Sequence, residues 1–203
     1  QDLEAIAILE KAYFDSSYDI GEMIRVLLNS EFFKSENCHY KKIKSPAELA
    51  CNVLRTTNEF RTPNINITEY NNQVSFMGQQ LLNPPSVEGW HQGTEWIETG
   101  SLTERVNFAS QHLGDISKPG IQKILQNIIN HEGESISAEA CVDKCLEQLG
   151  AIETSQHTYK ILVEFAQNNG IPSINLVKDK ENASMKISEL ISVIASVPEF
   201  QQS

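Results

Sequence analysis

The feature that most restricts how this chain can fold is the stretch Asn83-Pro-Pro-Ser-Val-Glu-Gly-Trp-His-Gln-Gly-Thr-Glu-Trp-Ile97, which holds both tryptophans together with two prolines and two glycines. Consecutive prolines fix φ and remove two backbone donors, while Gly89 and Gly93 permit conformations that other residues resist. Neither a helix nor a long strand can pass through it. Leaving two indoles in water forfeits burial on the order of 2 kcal/mol each, so the loop is expected to fold back on the body of the domain as the hub against which helices pack. Trp90→Ala is expected to lower stability sharply.

On either side of this loop the apolar residues recur at helical spacing. Leu3 to Phe14 and Ile20 to Asn29 read as helices, followed by a polar connection over 34–44. Ser45-Pro-Ala-Glu48 has the form of a capping box with proline at the first helical position and opens a helix ending near Thr57. A helix from Thr68 to Leu82 leads into the loop, and Ser101-Leu-Thr-Glu104 restarts one on the far side that stops at Gly114. Pro119 to Ile129, Ala138 to Leu149, Ser155 to Asn169 and Met185 to Ser196 complete the set, with Ser173 to Asn182 read as loop and Lys178-Asp-Lys-Glu181 as solvated charge. No alternating β-branched run exceeds four positions. The expectation is an all-α fold, an irregular bundle of about eight helices organised around the Pro/Gly/Trp loop, with 1–203 as one helical domain.

The 16 basic and 27 acidic residues give a formal charge of −11. A surface of that sign repels phosphate backbones and anionic membranes, so nucleic acid is not an expected partner. The apolar runs are too short for a transmembrane segment. Cys38, Cys51, Cys141 and Cys145 are too few and too irregular for a disulfide scaffold. A zinc site can be drawn from Cys141 and Cys145, four apart on one helix, with Cys38-His39, but the close Cys-x-x-Cys pairing is missing and the pair reads as small core residues. His91, His112, His131 and His157 lack a His-Glu-x-x-His spacing. No metal and no cofactor is expected, and there is neither a nucleophile elbow nor a phosphate-cradling glycine loop. An internal echo links Ile20-Gly-Glu-Met-Ile-Arg-Val-Leu-Leu-Asn-Ser-Glu-Phe32 with Ile187-Ser-Glu-Leu-Ile-Ser-Val-Ile-Ala-Ser-Val-Pro-Glu-Phe200. An amphipathic helix with an aromatic at its exit is common, and the echo is read that way rather than as duplication.

Lys44-Ser-Pro-Ala-Glu-Leu49 with Arg55, Gly78-Gln79, Pro84-Pro85-Ser-Val-Glu-Gly-Trp90, Gly93, Trp96, Arg105-Val-Asn-Phe108 and the closing Val197-Pro-Glu-Phe-Gln201 together resemble the C-terminal half of the bacterial family catalogued as domain of unknown function 1800. The resemblance implies a mostly helical, commonly exported protein without an established activity. It also implies that the chain is the C-terminal part of a longer protein, because family members usually carry an N-terminal half with an Arg-rich motif that has no counterpart here. Extracytoplasmic localisation, periplasmic or secreted, is implied by the resemblance alone.

Two functional readings follow. In the first, the chain is a helical structural or interaction module with a protein partner. In the second it is a carbohydrate-binding or carbohydrate-cleaving domain whose Glu88, Trp90, His91, Glu95 and Trp96 supply stacking faces and paired carboxylates for a glycan. The same residues can serve as a buried plug, which the first reading favours. Arg105 is expected to be a structural clamp: a guanidinium close behind a helix start asks for a compensating acceptor, expected to be a carboxylate or carbonyl of the loop.

Overall fold

The computed structural model describes residues 2–38, 40–131, 133–150 and 152–202. They form ten α-helical segments and several short 3-10 turns, with no strand among the described residues beyond the isolated bridges Ile43–Gln202 and Ser86–Gly89. The chain divides into two compact units, residues 1–41 and 42–203.

In the first unit, α1 (Leu3–Asp15) and α2 (Ile20–Asn29) form a hairpin, followed by the single turn α3 (Glu31–Lys34). Each start is capped by a side chain accepting an orphan amide: Asp2 from Ala5, Asp19 from Gly21 and Glu22, Ser30 from Phe33. Leu9, Tyr13, Met23, Val26 and Leu27 are half-buried, and no residue of the three helices is fully buried. The rings of Tyr13, Phe14 and Tyr18 meet edge to face.

The second unit holds α4 (Pro46–Thr57), α5 (Ile67–Phe76), α6 (Thr99–Leu113), α7 (Pro119–His131), α8 (Ala138–Gln148), α9 (Gln156–Asn168) and α10 (Lys180–Ile194). The anticipated capping box at Ser45 forms in full, the Ser45 hydroxyl accepting from Glu48 N–H while the Glu48 carboxylate accepts from Ser45 N–H. α10 packs on α6, α7, α8 and α9, and α4 packs on α5, α6 and α7. The core they enclose includes Leu49, Val53, Leu113, Ile121, Ile128, Leu162, Ile187, Leu190, Ile191 and Phe200. Where α7 begins, Gly120 lies so close to the C-terminal turn of α4 that a Cβ would stand 1.9 Å from the Thr56 carbonyl oxygen.

Three boundaries differ from the sequence reading. α5 ends at Phe76 instead of Leu82, because Gly78 takes φ +99° and the bonds Gln79 N–H to Val74 O and Gly78 N–H to Ser75 O close a Schellman stop. α6 starts at Thr99, so Ser101 lies inside its first turn and donates to the Trp96 and Glu98 carbonyls instead of capping. α10 starts at Lys180, five residues ahead of Met185; Lys180 and Glu181 stay solvated on the helix while Ala183 is fully buried, and that burial extends the helix into the charged run.

The loop also sits differently from a hub. Trp96 is buried and Trp90 half-buried, yet neither belongs to the core cluster, and residues 83–97 contribute nothing else that is buried. The loop covers the α4 end of the 42–203 unit without forming its centre, since Leu81, Leu82 and Val87 turn outward while the indoles turn in.

Candidate functional site

A groove of about 520 Å³ opens between the N-terminus of α4 and the Pro/Trp loop, lined by Lys42, Ser45 and Glu48 on one side and Gln79, Glu88, Trp90, His91 and Trp96 on the other. Its floor is built from local rules. The Schellman turn at Gly78 aims Gln79 back at α4, where its side-chain oxygen accepts from Ala47 N–H at 2.9 Å and satisfies a further amide at that helix start. The Trp90 indole N–H donates to Gln80 O at 3.3 Å, tying the loop to the same turn. Lys42 pairs with Glu48; that salt bridge and the Ser45 amide hold the Glu48 carboxyl below the usual range against a small opposing effect of burial.

The five loop candidates separate. Glu88, Trp90, His91 and Trp96 line the groove, whereas Glu95 does not; it pairs with His91 on the exposed surface. Glu88 is exposed, and its backbone N–H donates to Ser86 Oγ.

Beneath the groove lies a buried polar assembly in which Arg105, fully inaccessible, donates from Nε to Gln201 Oε1 at 2.9 Å and from Nη2 to the Lys44 carbonyl at 2.7 Å. Both acceptors lie outside the loop, which corrects the expected loop partner. The reason is the earlier start of α6: with Thr99 as the first helical residue, Arg105 stands in the second turn and points into the unit rather than back along the helix end. Lys44 N–H donates to Gln201 O at 2.9 Å, its ammonium donates to Phe200 O at 2.8 Å and sits 5.1 Å from the centre of the Phe200 ring. Burial pulls the Arg105 guanidinium down to about 10, with Glu48 opposing, and burial together with Arg105 lowers the Lys44 ammonium. Among the described residues Arg105 Nη1 has no hydrogen-bond partner.

Lys44, Arg105 and Gln201 therefore stand at one junction, with Gln79 bonded to the adjoining start of α4, although the four are spread from 44 to 201. Composition and periodicity carry no sign of this; the signal was that all four fall within the quoted motifs.

A second titratable cluster joins the end of α4 to α5, α6 and the start of α7. The Glu59 carboxylate accepts from Lys118 Nζ at 2.6 Å, from Tyr70 OH at 3.1 Å and from Thr57 Oγ1 at 3.2 Å, with His112 Nδ1 4.0 Å away. The His112 ring lies against those of Tyr70 and Phe108, and burial lowers its pKa against the pull of Glu59.

Cys141 and Cys145 are buried one turn apart on α8, where the neighbouring Cys141 and burial push the Cys145 thiol up; Cys38 and Cys51 are exposed. His39 and the His131 side chain lie outside the described residues. Among the described residues no three His, Cys, Asp or Glu side chains gather as metal ligands, and no helix is long and apolar enough to cross a membrane.

A family model described as "Protein of unknown function (DUF1800)" matches residues 2–202, a wider span than the motifs between 44 and 105 and at 197–201. No curated protein and no solved structure matches the chain.

Proposed function

Because the chain belongs to the DUF1800 family, whose function its description leaves open, we propose that it is a helical interaction module and that the loop from Leu81 to Gln92 is its contact element for a protein partner. The observation that carries this is the inversion of the loop: its Trp90 indole is half-buried and tied to Gln80 O, and Trp96 beyond it is buried, while Leu82 and Val87, 96% and 105% exposed, point into water. Large aliphatic side chains displayed at a loop tip on a braced base suit a hydrophobic anchor for another surface. The family resemblance supports placing the protein outside the cytoplasm.

The test is a photo-crosslinking residue in place of His91, beside the apolar tip. The expected result is one dominant protein adduct in the native host, lost in a Leu82→Ser, Val87→Ser chain that melts at the parent temperature. An adduct that survives those substitutions, or none at all, overturns the proposal.

The groove supports the second reading, since Trp90, Glu48, Glu88 and Gln79 line a space large enough for a sugar unit. Buried Trp96 and half-buried Trp90 offer less stacking face than a carbohydrate site uses. Under the interaction reading, oligosaccharides leave the tryptophan emission unchanged; a saturable shift abolished by Trp90→Ala favours the glycan reading.

A further inference from the structure

The loop that displays Leu82 and Val87 is set in a long tract of one charge sign. Between Arg61 and Arg105 there is no lysine or arginine, while Glu69, Glu88, Glu95, Glu98 and Glu104 are all exposed. A surface that approaches the loop therefore meets negative charge that no lysine or arginine of the tract offsets, and an acidic partner is repelled.

Within the groove beside the loop, one carboxylate stands without a partner. Both oxygens of Glu48 are taken, Oε1 by the Lys42 ammonium and Oε2 by Ser45 N–H at 2.7 Å. Glu88 engages through its backbone N–H, and among the described residues its carboxylate has neither a hydrogen bond nor an ion pair. With Lys42 set against Glu48 and His91 against Glu95, the unbalanced charge of the groove is that of Glu88. Two residues on, Trp90 lines the same groove, fixed through its indole N–H and only half-buried. Gly89 between them has no atom within 4 Å of the place a Cβ would occupy, so the space beside the pair is open. An indole face attracts a cation, and a guanidinium can stack on the ring while its planar fork meets a carboxylate.

We infer that the groove receives an arginine side chain of the protein partner, its guanidinium over Trp90 and against the Glu88 carboxylate, while an apolar surface beside that arginine takes Leu82 and Val87. The inference rests on the reading of Leu81–Gln92 as a contact element and gives the partner a chemistry: an apolar patch with a cation at its edge. A neutral sugar answers the indole but leaves the charge of Glu88 unbalanced, and an ammonium balances the charge without the planar stack.

The experiment titrates Nα-acetylarginine amide, a single side-chain cation, into the full chain and reads tryptophan emission. The parent is expected to show a saturable change whose apparent Kd rises about fivefold in Glu88→Gln and rises also with added salt; Nα-acetylglutamine amide, which has no charge, is expected to give none. No saturable change, an equal response to the glutamine amide, or unaltered binding in Glu88→Gln overturns the arginine site. Should Glu88→Gln melt below the parent, the salt dependence of the parent chain decides in its place. The photo-crosslink from position 91 separates this inference from the reading beneath it. An adduct that needs Leu82 and Val87 but is indifferent to Glu88→Gln and to salt removes the arginine and leaves the contact element standing, whereas binding of the arginine amide with no adduct at all removes the contact element and the partner with it.

Discussion

Arg105 on α6 and Gln201 in the closing 3-10 turn are joined by a 2.9 Å hydrogen bond across 96 residues of sequence, inside a junction that admits no solvent to the guanidinium. Arg105 also holds the Lys44 carbonyl, so one side chain ties the entry of α4 to the end of the unit. Gln201→Ala leaves Nε without an acceptor in a buried setting, and an orphaned donor of this kind costs about 2 kcal/mol. The expected result is a melting temperature lower by roughly 4–8 °C. Arg105→Lys keeps the charge but cannot reach both acceptors with a planar fork, and is expected to lose at least as much stability. Thermal melts of both variants check this, and an unchanged midpoint for either contradicts the junction's role.

Gly120→Ala separates helix propensity from packing. Alanine is intrinsically better than glycine inside a helix by about 1 kcal/mol, so propensity alone forecasts a gain. The Cβ would meet the Thr56 carbonyl oxygen at 1.9 Å, and backbone on both sides of the contact cannot yield as a flexible side chain would. A loss of about 3 kcal/mol or failure to fold is expected, measured by urea unfolding.

The two tryptophans are expected to part company. Trp96, 5% exposed, is the one whose truncation costs about 3–5 kcal/mol, while half-buried Trp90 costs clearly less. Acrylamide should quench one emitting population and spare the other, and Trp90→Phe should remove the quenchable one. A larger loss of stability for Trp90→Ala than for Trp96→Ala reverses this ordering.

His112 sets a pH dependence distinct from that of the carboxylates. Burial lowers its folded-state pKa, so the folded state favours the neutral ring, and the unfolded chain takes up the proton first as pH falls below the ordinary value of 6.5. Stability is complete above that value and is lost as pH falls through it toward the folded value. The facing groups are Glu59, Lys118, Asp115 and Glu69. Asp115, whose carboxyl is lowered mainly by the Ser117 hydrogen bond against a small effect of burial, contributes only at lower pH. The midpoint of urea unfolding should therefore fall between pH 7 and pH 5.5 in the parent and stay flatter over that range in His112→Leu.

How far the sequence foretold this fold can be followed residue by residue. The Ser45 capping box and the helix stop at Gly114 rest on chemistry within a few positions, and both appear as read. Gly78 carried the same kind of signal, but apolar Leu81 and Leu82 extended the helical pattern past it; only the αL turn at Gly78 shows that the pattern had ended. The acceptors of Arg105 were out of reach for a different reason. Its nearest carboxylates in sequence belong to the loop, whereas its actual acceptors lie 61 and 96 positions away, and no local rule links such distances. Of the candidate site, the loop and its tryptophans were legible as a feature, but which side chains would face water was decided by tertiary packing.

The anchoring of Lys44 to Phe200 imposes an order on biosynthesis. These residues are 156 positions apart, and at ribosomal speeds of about 5–20 residues per second Lys44 waits roughly 8–30 s for its acceptor to be made. Until residues 200 and 201 are made, the Lys44 ammonium and Arg105 Nε lack these acceptors. The 42–203 unit thus closes only once residues 200 and 201 clear the exit tunnel, and a ribosome stalled before that point holds a bundle that cannot lock.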